Sequence, residues 1–144
     1  MSTTPSVTIR VSRRFASVAD RVFDGWINPI MAGRWLFATP TGKLVKAEID
    51  ARVGGRFTLT DRRDGEDIDH VGEYLEIDRP RRLVFKFLVP KYTQIWTQVT
   101  IEIAPQSSGC ELTLAHEGVL AEYEERSING WTMLLASLAR TLGE

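Results

Sequence analysis

Histidine and cysteine are almost missing from this chain: 144 residues hold two histidines, His70 and His116, and one cysteine, Cys110. A lone cysteine excludes an internal disulfide and suits a reducing compartment. With no two of these three side chains at zinc-motif spacing, no metal site is expected. Cys110 and His116 stand six residues apart on one expected strand, roughly 20 Å at about 3.3 Å per residue. Proton transfer needs about 3 Å, so they form no catalytic dyad. A Gly-x-Ser-x-Gly elbow is missing as well. No apolar run nears the ~18 residues that span a bilayer. The opening "MSTTPSVTIRVSRR" lacks the basic-then-apolar order of a signal peptide, so the expected location is the cytoplasm. Charge of one sign is not in excess: 18 Lys and Arg face 19 Asp and Glu. That balance leaves no electrostatic footprint for nucleic acid or for an anionic membrane. Repeats, low-complexity segments and linkers are absent, and the length suits a single domain over residues 1–144.

What is present is a change of period along the chain. "SVTIRVSRRF" alternates Val7, Ile9 and Val11 with polar neighbours, as a half-buried strand does. In "SVADRVFDGWINP", Ser17 and Asp20 have the spacing of a capping box, and Val18, Val22, Phe23 and Trp26 share a helical face. Asn28-Pro29 ends that helix and starts a second short one through "IMAGRWL". "FATPTGK" has turn chemistry. From Leu44 the period becomes two. Val45, Ala47, Ile49 and Ala51 form one face, and Phe57 and Leu59 lead the next strand. Asp64-Gly65 signals a tight hairpin, and Gly72 marks a bulge where alternation shifts. Leu83, Phe85 and Phe87 follow; then Ile95, Thr97, Val99, Ile101 and Ile103; then Leu112, Leu114 and His116. After the first strand this makes about six antiparallel strands. The chain closes with a helix whose Ile128, Trp131, Leu135, Leu138 and Leu142 recur at three- and four-residue steps, with Leu134 widening the stripe. Gly143 sits at its stop.

Gly54-Gly55 raises the question of a phosphate cradle. Such a loop needs a helix N-terminus after it, whereas "RFTLT" has strand period and composition. The pair is expected to turn a hairpin, with the positive φ that a type I′ turn requires.

The segments "ASVADRVFDGWINPIMAGRWL", "EIDARVGGRFTL", "GEYLEIDRPRRLVF" and "LTLAHEGV…NGWTMLLASLARTL" resemble, in order and over nearly the whole chain, a family of small SRPBCC proteins. That family is named after the activator of a heat-shock chaperone ATPase. The resemblance implies an α+β helix-grip, START-like fold: a curved antiparallel sheet wrapped around a long C-terminal helix, with two short helices after the first strand. It also implies a hydrophobic cavity between sheet and helix. It does not imply one activity, since fold and function separate. No counterpart is expected of the extra N-terminal domain found in the full chaperone activator, nor of the iron ligands of the related hydroxylases.

Strand parity, helix period and this resemblance together place Trp35, Phe57, Leu59, Phe85, Phe87, Val99, Ile101, Leu114, His116, Trp131 and Leu135 on the cavity wall. His116 is either a structural histidine at a strand end or a polar group in an apolar pocket. The leading expectation is a domain without metal or cofactor that binds a small apolar or amphipathic molecule, and an enzyme is the less favoured reading. The alternatives are a cyclase- or hydrolase-like enzyme using His116, and an interaction module, as co-chaperone of a chaperone or as a homodimer.

Overall fold

The computed structural model describes residues 5–39 and 42–144. Alternating residues build seven strands: β1 (Ser6–Phe15), β2 (Lys43–Ile49), β3 (Arg56–Arg63), β4 (Glu66–Asp78), β5 (Arg82–Leu88), β6 (Thr97–Pro105) and β7 (Cys110–Leu120). They form one antiparallel sheet in the order β1-β7-β6-β5-β4-β3-β2. Thus β2 to β7 are a continuous meander, and β1 returns to pair with β7. Two short helices, α1 (Ala19–Ile27) and α2 (Pro29–Ala32), fill the β1–β2 connection, and a long helix, α3 (Glu124–Thr141), follows a 3-10 turn at Ala121–Tyr123. The curved sheet and the long C-terminal helix are the α+β helix-grip arrangement.

The inward face of the strands carries Phe57, Leu59, Tyr74, Phe85, Val99, Ile101, Leu112 and Leu114, all buried. Against them α3 lays Trp131, Leu135 and Leu138, and α1 lays Val22, Phe23 and Trp26. Trp26 meets Trp35 edge-on at 4.6 Å between ring centroids. The Trp35 indole N–H donates to the Gly25 carbonyl at 2.9 Å, so its polar edge is satisfied in the interior. Both rings are fully buried, and removing such side chains from water is worth about 2–3 kcal/mol each.

Local chemistry explains the connections. Asn28 caps α2, its side-chain oxygen accepting from the Ile30 and Met31 amides, with Pro29 in the first helical position. Asp64 (φ 50) and Gly65 (φ 79) make the two-residue β3–β4 turn, both in the left-handed region that a type I′ hairpin needs. The far end of α3 is latched. The Glu144 carboxylate accepts from the Ala16 and Ser17 amides and the Ser17 hydroxyl, and Arg21 donates to the Leu142 carbonyl at 2.7 Å. Burial opposes the charge on Glu144, but those hydrogen bonds outweigh it and hold its carboxyl below the usual range.

Several local expectations are corrected. Gly54 alone has positive φ, at 83°, and the Gly55 amide donates to the Arg52 carbonyl. The bend is therefore a type II turn, with Gly54 in its third position, inside a longer connection rather than a type I′ pair. Gly55 is small for another reason: a Cβ there would lie 2.2 Å from the Asp50 carbonyl oxygen. Ser17 does not cap α1, because Glu144 takes its hydroxyl; Asp20 instead pairs with Arg79 at 3.2 Å. The β4–β5 register shifts between Tyr74 and Glu76, leaving Leu75 as the extra residue. Gly72 is in regular register, and its missing side chain is where the Phe57 ring sits. A second shift between Leu44 and Lys46 turns Val45 outward. Ile95 precedes β6 and is exposed. Pro40 and Thr41, in the turn expected over "FATPTGK", lie outside the described residues.

Candidate functional site

The concave face is not filled evenly. Near the first half of α3 an open cleft of about 880 Å³ lies between that helix, the start of β6, the end of β7 and the loop 89–96. Of the side chains expected on a cavity wall, Phe87, His116 and Trp131 line this cleft. Trp35, Phe57, Leu59 and Phe85 lie in the packed core, as do Val99, Ile101, Leu114 and Leu135. Strand parity identifies the inward face; it does not say how far along the strands the space is occupied.

The cleft's polar centre is a chain of hydrogen bonds. The Trp131 indole N–H donates to His116 Nδ1 at 3.0 Å. Since Nδ1 accepts, the ring proton of neutral His116 belongs on Nε2, which donates to Thr97 Oγ1 at 2.8 Å. The Thr97 hydroxyl in turn donates to the Phe87 carbonyl at 3.3 Å. Each donor thus has an acceptor, and one lone pair of Thr97 Oγ1 remains. Burial lowers the pKa of His116 to about 4. Protonating Nδ1 would also turn two N–H groups toward each other, which reinforces the neutral state.

A second histidine borders the cleft from β4. His70 is buried, and burial with the nearby Arg63 charge lowers its pKa to about 4. Its ring stacks on Phe37 at 4.6 Å and 8°. Phe37 holds φ at 64°, a conformation uncommon for a bulky side chain and one retained only where the surroundings enforce it. Here those surroundings are His70, Phe87 and Trp131, all within 5.8 Å of the Phe37 ring centroid. Behind His70, fully buried Asp61 accepts from Arg63 Nε at 2.6 Å and from the Thr39 hydroxyl at 2.9 Å.

Phe37, Thr97 and Arg126 line the cleft without having been singled out from the sequence. Thr97 carried a signal, as a polar residue in the apolar stripe from Ile95 to Ile103. Arg126 carried another, since it lies one helical turn before Gly130. Phe37 carried none, because nothing local foretells its φ. Cys110 is buried, donates to the Ser17 carbonyl at 3.5 Å, and has its thiol pKa pushed up by burial and by Glu144. Among the described residues no three His, Cys, Asp or Glu side chains gather where they could hold a metal ion, and no helix is long and apolar enough to cross a membrane.

The family model described as Activator of Hsp90 ATPase homolog 1-like protein matches residues 16–143. Among solved structures, protein CV1439 from Chromobacterium violaceum is 28% identical, with a TM-score of 0.84 over 92% of this chain and 94% of that one. Protein NE0264 from Nitrosomonas europaea is 24% identical, with a TM-score of 0.83 over 95% and 94% of the two chains. An AHSA1-like protein from Aeromonas hydrophila is 19% identical, with a TM-score of 0.81 over 95% and 92%. No curated protein sequence matches this one.

Proposed function

The chain belongs to the Activator of Hsp90 ATPase homolog 1-like family, and from that premise we propose that it binds a small apolar or amphipathic molecule in the cleft beside α3. Family membership is compatible with ligand binding and names no ligand. The observation that carries the reading is the closed hydrogen-bond chain Trp131–His116–Thr97–Phe87 in an aromatic-walled space of ligand size. It orients the imidazole and ends at one free acceptor site, an arrangement that positions a guest rather than moving protons. A general base needs a lone pair within reach of substrate, and His116 spends its lone pair on the Trp131 N–H. The cyclase- or hydrolase-like reading has that obstacle to overcome. Neither metal nor cofactor is part of the proposal.

A thermal-shift screen of apolar and amphipathic compounds tests it. Ligand at about 100 times its dissociation constant adds roughly 2.7 kcal/mol of stability. His116→Gln should change affinity modestly and leave the fold intact. If no compound raises the melting temperature, the binding reading fails. If a turnover is found that His116→Gln lowers by about 10²- to 10⁴-fold, the enzyme reading replaces it.

A further inference from the structure

We propose that the molecule bound in the cleft is an amphipathic acid, its apolar body against Phe87, Trp131 and Leu134 and its anionic group at Arg126. This rests on the binding reading above and specifies its ligand. Arg126, in the first turns of α3, is the one side chain with a formal charge among those lining the cleft; no Asp, Glu or Lys joins it. Both lining histidines are neutral at physiological pH, their pKa values lying near 4. The lining as a whole therefore carries a single positive charge, beside aromatic and aliphatic side chains and a few neutral polar ones.

That charge is also uncommitted. The Arg126 guanidinium stands 6.0 Å from the Tyr123 ring centroid and meets no carboxylate within ion-pair distance among the described residues. Glu122, Glu124 and Glu125 share its stretch of chain, yet none of them lines the cleft or pairs with it. The contrast is Lys91, in the loop on the cleft's other side, which is paired with Glu66. An arginine presents a flat fork of donors that fits a carboxylate or sulfonate. A cationic guest would meet the same group as repulsion, with no acid on the wall to offset it. A neutral alcohol would gain the apolar contacts and could donate one hydrogen bond to Thr97 Oγ1, but would draw nothing from the Arg126 charge.

Three ligands with one decyl chain separate these cases: decanoate, decanol and decyltrimethylammonium, titrated calorimetrically into the full chain below their micelle concentrations. Decanoate should bind about twofold to fivefold more tightly than decanol, the size of an ion pair at a solvent-exposed site, and the ammonium most weakly. Added salt should erode the decanoate preference and spare decanol. Arg126→Gln should level decanoate with decanol, and Arg126→Lys should keep part of the preference; the position is exposed, so folding is not at stake. If none of the three binds, the acid assignment fails, and the cleft reading stands or falls on the compound screen above. If all bind equally, the cleft reading stands and the acid assignment is wrong. An acid preference that survives Arg126→Gln overturns the role given to Arg126.

Discussion

The two ends of α3 lie on the same sheet and meet different fates. Toward its C-terminal end, Leu135, Leu138 and Leu142 join the buried core to which α1 contributes Val22, Phe23 and Trp26. Toward its N-terminal end, Arg126, Ser127 and Gly130 border an open cleft. The sheet curves over both, so curvature alone does not make a cavity. What differs is the insert between β1 and β2: its aromatic side chains reach one half of the concavity, and Phe37 stands at the boundary. The cleft is where that filling stops.

Substitutions that treat the two ends alike should therefore give unlike results. The largest expected effect is Trp26→Ala, which empties a fully enclosed site and should cost about 3–5 kcal/mol in urea denaturation. Leu134→Ala, at the open end, should cost less than about 1 kcal/mol. Equal losses would show that the cleft end is as tightly packed as the other. Next comes pH. His70 and His116 have folded pKa values near 4, below the usual 6.5. Both are neutral when folded, so between these values the unfolded chain binds the extra protons. Stability is complete above pH 6.5 and falls as pH drops toward 4, by about 3 kcal/mol for each histidine. Denaturation curves at a series of pH values check this, and a flat profile between pH 6.5 and 4 would contradict the burial of both rings.

Trp131→Phe should have a smaller cost, about 1–3 kcal/mol, because it leaves His116 Nδ1 without its donor. It should also raise the His116 pKa, which an NMR titration would read. An unchanged pKa would mean that the indole does not help hold the ring neutral. The smallest effect on stability is expected from Leu134→Trp, which fills the open end. Melting temperature should hardly move, while the stabilisation conferred by any cleft ligand disappears. Retained ligand stabilisation would place the guest elsewhere.

The sheet was largely readable from the residues because a period of two reports which face is buried, and β5 to β7 obey it from Leu83 to His116. The helix was readable for the same reason at its own period. Register shifts were harder. Leu75 and Val45 break alternation without a turn residue to announce them, since a bulge answers to pairing with the neighbouring strand. Ser17 had the local signature of a cap, but its partner proved to be Glu144, which lies far away in sequence. Which inward residues meet open space was not legible, because that depends on how far the α1–α2 insert reaches. Of the side chains expected on the wall, Phe87, His116 and Trp131 border the cleft, and the others lie in the packed core.

The latch at Glu144 has a mechanical meaning. A rod fixed at one end can yield only by swinging, and its displacement grows with distance from the pivot. From Leu142 to Arg126 is about 24 Å along the axis at 1.5 Å per residue, so a tilt of about 5° would carry Arg126 by ~2 Å and scarcely disturb Leu138. The same rotation would widen the mouth while the aromatic packing beside the pivot stays in place. Cutting the latch with Glu144→Ala would move the fulcrum rather than the load, so its effect should reach the mouth from the far end of the helix.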